Sequence, residues 1–209
     1  VTPGDGNVIA YNNRGVLVDS NPTASVNNSI RGNSIFSNTG IGIDLNNDDV
    51  SLNDPGDFDL GANNTRNYPV VTSALISGAD LTVAGTLNTV PAFNCNLDFY
   101  WSPTGDPSGY GEGKTYLGTA NVTADFFGNA SFNVNFFGVA VPAGAFVTAT
   151  ATDSSGNTSE FSLNRTATQV NVPPSITSNG GGATAAMNVA ENATAVTTVT
   201  ATDANVPAQ

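Results

Sequence analysis

The chain contains no histidine, a single cysteine and little charge of either sign. Only 11% of its 209 residues are charged, against about 25% in an ordinary soluble domain. The absence of histidine removes the commonest general base and metal ligand, and a lone Cys95 excludes an intrachain disulfide. No apolar run approaches the roughly 18 residues of a transmembrane span. These absences argue against nucleophilic catalysis and against membrane insertion.

Basic residues are the scarcest charged group. Acids outnumber bases by 17 to 5, which gives a net charge of −12. A chain of this charge is repelled by phosphate backbones and by anionic membrane surfaces, so we expect it to bind neither nucleic acid nor membrane. Cations are its natural small partners.

Asn, Thr, Ser, Gly and Ala replace the missing charge. These residues favour turns, strand faces and ladders over helix interiors. Because no stretch shows helical periodicity, the predicted fold class is all-β. The composition divides the chain into residues 1–52, an acidic linker at 53–66, residues 67–168, and residues 169–209.

The first zone, residues 1–52, contains an internal repeat. The sequence GNVIAYN at 6–12 recurs as GNSIFSN at 32–38, and GVLVD at 15–19 recurs as GIGID at 40–44. The period of 25 to 26 residues is typical of solenoids. The pattern resembles the coils of the right-handed parallel β-helix family. Stacked coils would pair Ile9 with Ile35, Val16 with Ile41, Val18 with Ile43, Asn7 with Asn33 and Asn12 with Asn38.

This stacking would also place Asp19 and Asp44 in one column, about 4.8 Å apart. Two such carboxylates repel unless one holds a proton, one turns to water, or both share a cation. A β-helix polysaccharide lyase or glycosidase would use such a pair, and this enzyme class is one alternative function. We interpret the two carboxylates as structural groups at strand ends.

The acidic segment from Asp44 to Asp59 suggests calcium. Within it, Asp57 and Asp59 belong to a D-x-D-x-G loop that ends at Gly61. Calcium takes six to eight oxygen ligands, and closely spaced Asp and Asn side chains supply them. The predicted metal ligands here are Asp57, Asp59, Asp54, Asn53 and Asn63. The alternative is a solvated acidic linker without bound metal.

The second zone, residues 67–168, is predicted to form a two-sheet sandwich. Alternating apolar residues and Asp-x-x-Gly-Asn turns indicate seven strands, and the pattern resembles bacterial Ig-like surface repeats. The predicted strands are 68–77, 81–87, 97–102, 115–122, 130–136, 146–152 and 159–164. We expect Phe99, Trp101, Phe132 and Phe136 in the core. Tyr100 and Tyr110 would form an exposed face in the alternative of a carbohydrate-binding module.

The third zone, residues 169–209, opens with Pro173-Pro174. Residues 187–192 and 196–203 resemble the first two strands of a cadherin-like repeat. That resemblance implies calcium ligands at Glu191 and Asp203.

Together these features predict a non-catalytic structural or adhesive module of a large secreted or cell-surface repeat protein of bacterial type, stabilised by calcium. We expect the sandwich to cover the open end of the coils, because exposed strand edges promote aggregation. The expected partners are neighbouring modules of the same chain and a surface glycan or protein.

Overall fold

The protein is all-β. The computed structural model describes residues 4–20, 23–178, 181, 191 and 198–203. The chain divides into two compact units, Val1–Thr168 and Gln169–Gln209. The first unit contains the repeat and the sandwich together.

Four short strands form the stacked part of the first unit. They are β1 (Val8–Ala10), β2 (Val16–Val18), β3 (Ser34–Phe36) and β4 (Ile43–Leu45). β1 pairs with β3 and β2 pairs with β4, both in parallel. We call residues 6–31 coil 1 and residues 32–65 coil 2. The predicted pairing of Ile9 with Ile35 is confirmed.

The second ladder has a different register from the predicted one. Val16 pairs with Ile43 and Val18 with Leu45, so the predicted pairing of Val16 with Ile41 is wrong. The true register is displaced by two residues, a shift that keeps every apolar side chain on the same face because side chains alternate with period two. Apolar patterning alone therefore could not distinguish the two registers.

The acidic segment belongs to coil 2 instead of linking two modules. Asn28 of coil 1 donates its backbone N–H and its Nδ2–H to Oδ1 of Asn63, at 2.9 and 3.1 Å. These two asparagines are 35 residues apart, whereas Asn7 and Asn33 are 26 apart. The extra residues of coil 2 form a loop that carries the acidic side chains. The coil ends in a short turn over Ala62–Thr65, in which Asn63, Asn64 and Thr65 have positive φ.

Two four-stranded sheets form the sandwich, and their longer strands pair antiparallel. Its longer strands are β5 (Val70–Ser77), β6 (Asp80–Asn88), β7 (Asn94–Ser102), β8 (Thr115–Thr123), β9 (Asn129–Phe136) and β10 (Phe146–Asp153). The short strands are β11 (Arg165–Thr166) and β12 (Thr168–Gln169). The sheet orders are β11-β10-β7-β8 and β12-β5-β6-β9. Six of the seven predicted strands are confirmed, with small differences at their ends.

The seventh predicted strand, residues 159–164, does not form a regular ladder. It runs beside β10, but the amides of Ala149 and Ala151 donate to the hydroxyls of Ser162 and Ser159, at 3.0 and 2.9 Å. Serine side chains here accept the bonds that strand carbonyls would accept in a regular sheet. The local preference of serine for side-chain-to-backbone bonds explains the irregularity.

Side chains from both sheets form the sandwich core. Phe99 lies between Phe132 and Phe136, with ring centroids 5.4 Å from each. These three rings are buried and Trp101 packs partly against the same cluster, as predicted. Cys95 is buried there as a free thiol.

The second unit is described only in part. β13 (Ser175–Ile176) pairs antiparallel with β14 (Ala201–Thr202). The predicted strand at 187–192 and the start of the one at 196–203 lie outside the described residues, apart from Glu191.

Candidate functional site

The coils and the sandwich share one hydrophobic cluster. Coil residues including Ile35, Ile43 and Leu45 pack with Tyr100, Tyr116 and Phe161 of the sandwich. Tyr100 is only 1% exposed, and its hydroxyl accepts a hydrogen bond from the Gly32 amide at 2.9 Å. The alternative in which Tyr100 lies on an exposed carbohydrate-binding face does not hold, because the coils cover that side of β7.

Glu112 ends a ladder of asparagine side chains. Asn12 donates its backbone N–H and Nδ2–H to Oδ1 of Asn38, at 3.0 and 3.2 Å. Asn38 donates the same two groups to the carboxylate of Glu112, with Nδ2 to Oε1 at 2.6 Å and the backbone N to Oε2 at 3.2 Å. The Glu112 carboxylate thus takes the place of the amide oxygen that a third coil would provide. Burial raises the pKa of Glu112, and the bonds from Asn38 oppose that rise.

The backbone next to Glu112 continues this edge contact. The Ile35 amide of β3 donates to the carbonyl of Gly113 at 2.9 Å. The Ser34 hydroxyl donates to the carbonyl of Lys114 at 2.6 Å. Since Ser34 and Ile35 lie in the last strand of the first ladder, residues 112–114 cover an edge that would otherwise present unpaired donors.

Glu160 ends the second ladder in the same way. Its Oε1 accepts the Leu45 amide of β4 at 2.9 Å, and its Oε2 accepts the Ser51 amide at 2.9 Å. Glu160 is 2% exposed. Burial raises its pKa to about 8, and the nearby carboxylates of Asp44 and Asp48 add to the rise while the two amides oppose it.

The third side of the coils meets the hairpin that follows β10. Ile30 donates its amide to the Thr158 hydroxyl at 2.9 Å, and Asn63 donates its Nδ2–H to the Thr158 carbonyl at 2.9 Å. The Asn27 amide donates to Oδ1 of Asn157 at 2.7 Å. The sandwich therefore bonds coil 2 at Asn38, Leu45 and Asn63, and it bonds the end of coil 1 as well.

An ion pair between a partly buried arginine and a buried aspartate joins the coils to the sandwich. Arg31, at the end of coil 1, forms two bonds to the Asp98 carboxylate of β7, from Nε to Oδ2 at 2.7 Å and from Nη2 to Oδ1 at 2.8 Å. Asp98 is fully buried. The bidentate geometry makes this pair specific in orientation as well as charge.

One group of carboxylates in the described residues has metal-like spacing. Oxygens of Asp44, Asp48 and Glu160 all lie within 4.8 Å of one another. Asp48 is exposed, and its Oδ1 accepts the Ser51 hydroxyl at 3.2 Å. Asp44 is buried and paired with Arg14, yet burial still raises its pKa. Three convergent carboxylates are hard oxygen donors of the kind that calcium takes, and water would complete the coordination shell.

Of the five calcium ligands predicted for the acidic segment, the carboxylates of Asp54, Asp57 and Asp59 do not form a group with metal-like spacing among the described residues. Asp57 is buried, and its oxygens accept from Arg66, Thr89 and Asn67 at 2.6, 2.7 and 2.9 Å. The guanidinium of Arg66 thus occupies the place of a cation, and it also bonds Asp153. Asp59 is exposed. The remaining three form hydrogen bonds within the protein. Asn53 bonds the backbone of Tyr68, Asp54 accepts from the amide of Phe58, and Asn63 accepts from Asn28 of coil 1.

The stacked carboxylates predicted from the repeat have a different outcome from the two ligands predicted in the second unit. The register places Leu17 opposite Asp44, so the stacked pair of Asp19 and Asp44 does not form. Asp19 is exposed. In the second unit Glu191 is exposed and Asp203 directly follows β14. The calcium ligands assigned to those two residues stay a prediction.

Sequence reasoning missed Glu112 and Glu160 as functional residues. They bond to coil residues 74 and 115 positions away in the chain. Neither acid belongs to the coil repeat or to the acidic segment, so no local signal marked them. No known protein-family model matches the chain. Among the described residues there is no helix long and apolar enough to cross a membrane.

Proposed function

We propose that this chain is a non-catalytic structural module in which the β-sandwich terminates a stack of parallel coils. The observation that carries the proposal is the position of the Glu112 carboxylate. It accepts hydrogen bonds from the backbone N–H and Nδ2–H of Asn38, just as Oδ1 of Asn38 accepts them from the same two groups of Asn12. Terminal repeats of stacked proteins need such covering elements to stay soluble. A secreted or surface-exposed repeat protein is the setting that fits this role.

The proposal is tested by expressing the coils without the sandwich. Residues 1–65 expressed alone would expose the donors of Ile35, Asn38 and Leu45, and we expect this fragment to self-associate or precipitate. Residues 1–168 serve as the matched control and should remain folded under the same conditions. A monomeric, folded 1–65 fragment in size-exclusion chromatography and circular dichroism would contradict the capping role.

We also propose that calcium stabilises the acidic loop of coil 2, through Asp44, Asp48 and Glu160. The spacing of these carboxylates favours this position over the D-x-D-x-G loop, where Arg66 already pairs with Asp57. A ligand that binds only the folded state raises its stability by mass action. The ion pair of Asp44 with Arg14 competes with metal, so we expect modest affinity.

The calcium proposal has a matched pair of variants. Asp48→Asn removes an exposed carboxylate from the cluster, and Asp59→Asn removes an exposed carboxylate from the D-x-D-x-G loop. Thermal unfolding is measured with calcium, with magnesium and with excess chelator. We expect Asp48→Asn to abolish a saturable calcium-dependent rise that Asp59→Asn retains. The reverse pattern would locate the site in the loop, and no rise in the unmodified chain would reject bound calcium.

A further inference from the structure

A pocket lies where coil 2 meets the loop between β7 and β8. It has a volume of about 200 Å³ and is partly open to solvent. Coil 2 contributes Phe36 and Ser37 to its lining, and the sandwich contributes Thr104, Asp106 and Lys114. Pockets for drug-sized ligands have volumes of roughly 300–1,000 Å³. This pocket is therefore suited to a smaller ligand, of about the size of one sugar ring.

The walls of the pocket are held in place by hydrogen bonds outside it. The Asp106 amide donates to the carbonyl of Gly111 at 3.3 Å, and Nδ2–H of Asn164 donates to the same carbonyl at 2.6 Å. On the other side, the Lys114 amide donates to the Ser102 hydroxyl at 3.0 Å. A pocket that is already ordered loses little conformational entropy when a ligand binds.

Several polar side chains of the pocket have hydrogen-bonding groups without a protein partner. Oδ1 of Asp106 accepts the Ser108 amide at 2.8 Å, but no donor from the described residues reaches its Oδ2. The Lys114 ammonium lies 4.7 Å from the ring centroid of Phe36, and it forms no ion pair within the described part of the chain. In the same ranges the hydroxyls of Ser37 and Thr104 bond no other residue. These groups are available to a ligand.

The charges around the pocket restrict the chemistry of that ligand. Lys114 is exposed, Asp106 is partly buried, and the two do not pair with each other. A cationic ligand would be repelled by Lys114, and an anionic one by the carboxylates of Asp106 and Glu112. A hydroxyl group both donates and accepts hydrogen bonds. A neutral ligand with several hydroxyls can therefore bond both charged side chains.

We infer that this pocket binds one neutral sugar ring of a glycan, with Asp106 accepting and Lys114 donating hydrogen bonds to its hydroxyls. The half-buried ring of Phe36 adds an apolar wall, and small-molecule sites combine such walls with a few polar groups. Glu112 also lines the pocket, but its carboxylate is already bonded to Asn38. The inference thus goes beyond the capping role of Glu112.

The test is a titration of the full chain, followed by the NMR shifts of its backbone amides. The probes are the methyl glycosides of glucose, galactose, mannose and N-acetylglucosamine, added one at a time. We expect at least one of them to shift the amides of Asp106 and Lys114 saturably. The dissociation constant should be on the order of 1 mM, as the small size of the ligand allows.

Two variants identify the groups that bind the sugar. Asp106→Asn keeps an oxygen for the Ser108 amide and replaces the free carboxylate oxygen with an NH₂ donor. Lys114→Met keeps an apolar side chain beside Phe36 and removes the ammonium. Each should weaken binding at least about tenfold, since hydrogen bonds to charged groups are the stronger ones. Asp59→Asn is the control, because it removes an exposed carboxylate outside the pocket and should leave the affinity unchanged.

The absence of a saturable shift with all four glycosides would overturn the inference. Tighter binding of glycine, acetate or methylammonium than of every glycoside would also overturn it, and so would full affinity in either pocket variant. Neither variant alters the bonds between Glu112 and Asn38. Failure of the capping proposal would therefore appear separately, as a folded and monomeric 1–65 fragment.

Discussion

Removing the Glu112 carboxylate tests whether it substitutes for a missing asparagine. Glu112→Ala deletes both oxygens that accept from Asn38, which is itself only 7% exposed. Water has poor access to the two donors left behind. Glu112→Gln keeps an amide oxygen, and Oδ1 of Asn38 already shows that one amide oxygen can accept both donors of Asn12.

The expected magnitude follows from the donors and the charge. A buried donor without a partner costs about 1–3 kcal/mol, so two donors set an upper range of about 2–6 kcal/mol. The ionised Glu112 is itself disfavoured by burial, since its pKa is raised, and the alanine variant recovers that part. We expect a loss of about 3 kcal/mol for Glu112→Ala and less than about 1 kcal/mol for Glu112→Gln.

Equilibrium urea denaturation at pH 7, followed by Trp101 fluorescence, measures these differences. The chain has one tryptophan, and it lies in the strand β7 that packs beside the coils. Asn121→Ala is the control, because it removes an exposed bond to Asn96 and should cost less than about 0.5 kcal/mol. The reasoning is refuted if Glu112→Ala matches this control, or if glutamine is as destabilising as alanine.

Two further predictions concern buried charge. Arg31→Met leaves the buried Asp98 without its cation and should destabilise the chain by about 3–5 kcal/mol. Combining Arg31→Met with Asp98→Leu should recover most of this loss. A double variant as unstable as the single one would argue against this account. In chelator, the free energy of unfolding should fall as pH rises from about 5 to about 8. The pKa of Glu160 in the folded chain is about 8, above its ordinary value. In this pH interval the folded state therefore binds a proton that the unfolded state has released. The contribution is a few kcal/mol at most, at about 1.4 kcal/mol per pKa unit, and Glu160→Gln should flatten the pH profile measured by urea titration; an unchanged profile would exclude Glu160 as its cause.

Period and spacing predicted the regular parts of the fold. Asn7 bonds Asn33 and Asn12 bonds Asn38 because the 26-residue repeat is strict in that half of the coil. The register of β2 on β4 was not predictable, since Ile41, Ile43 and Leu45 alternate and a shift of two residues buries the same face. The local apolar pattern determines which face of a strand is buried. Long-range packing then selects one register among those that bury this face.

The candidate site was less predictable because its bonds join distant residues. The sequence correctly identified the acidic segment as unusual. However, the spacing of its acids does not reveal which basic residue each acid pairs with. Arg66 pairs with Asp57 and Arg14 with Asp44. With five basic residues in the chain, each such pairing removes a large share of the available positive charge. The carboxylates left to converge on Asp48 include one from residue 160, far outside the segment.

The direction of the asparagine ladder explains why the cover is acidic. In each described rung, a backbone N–H and an amide NH₂ of one coil point toward the following coil, so within this ladder the last coil presents donors and the first presents side-chain acceptors. A group that ends the stack after coil 2 must accept hydrogen bonds in a buried setting, and Glu112, Glu160 and the Gly113 carbonyl do so. A carboxylate at the opposite end would meet the amide oxygens of Asn7 and Asn12 and be repelled. The acidic cap is therefore specific for one end of the coil stack, and a module that covered the other end would have to supply donors.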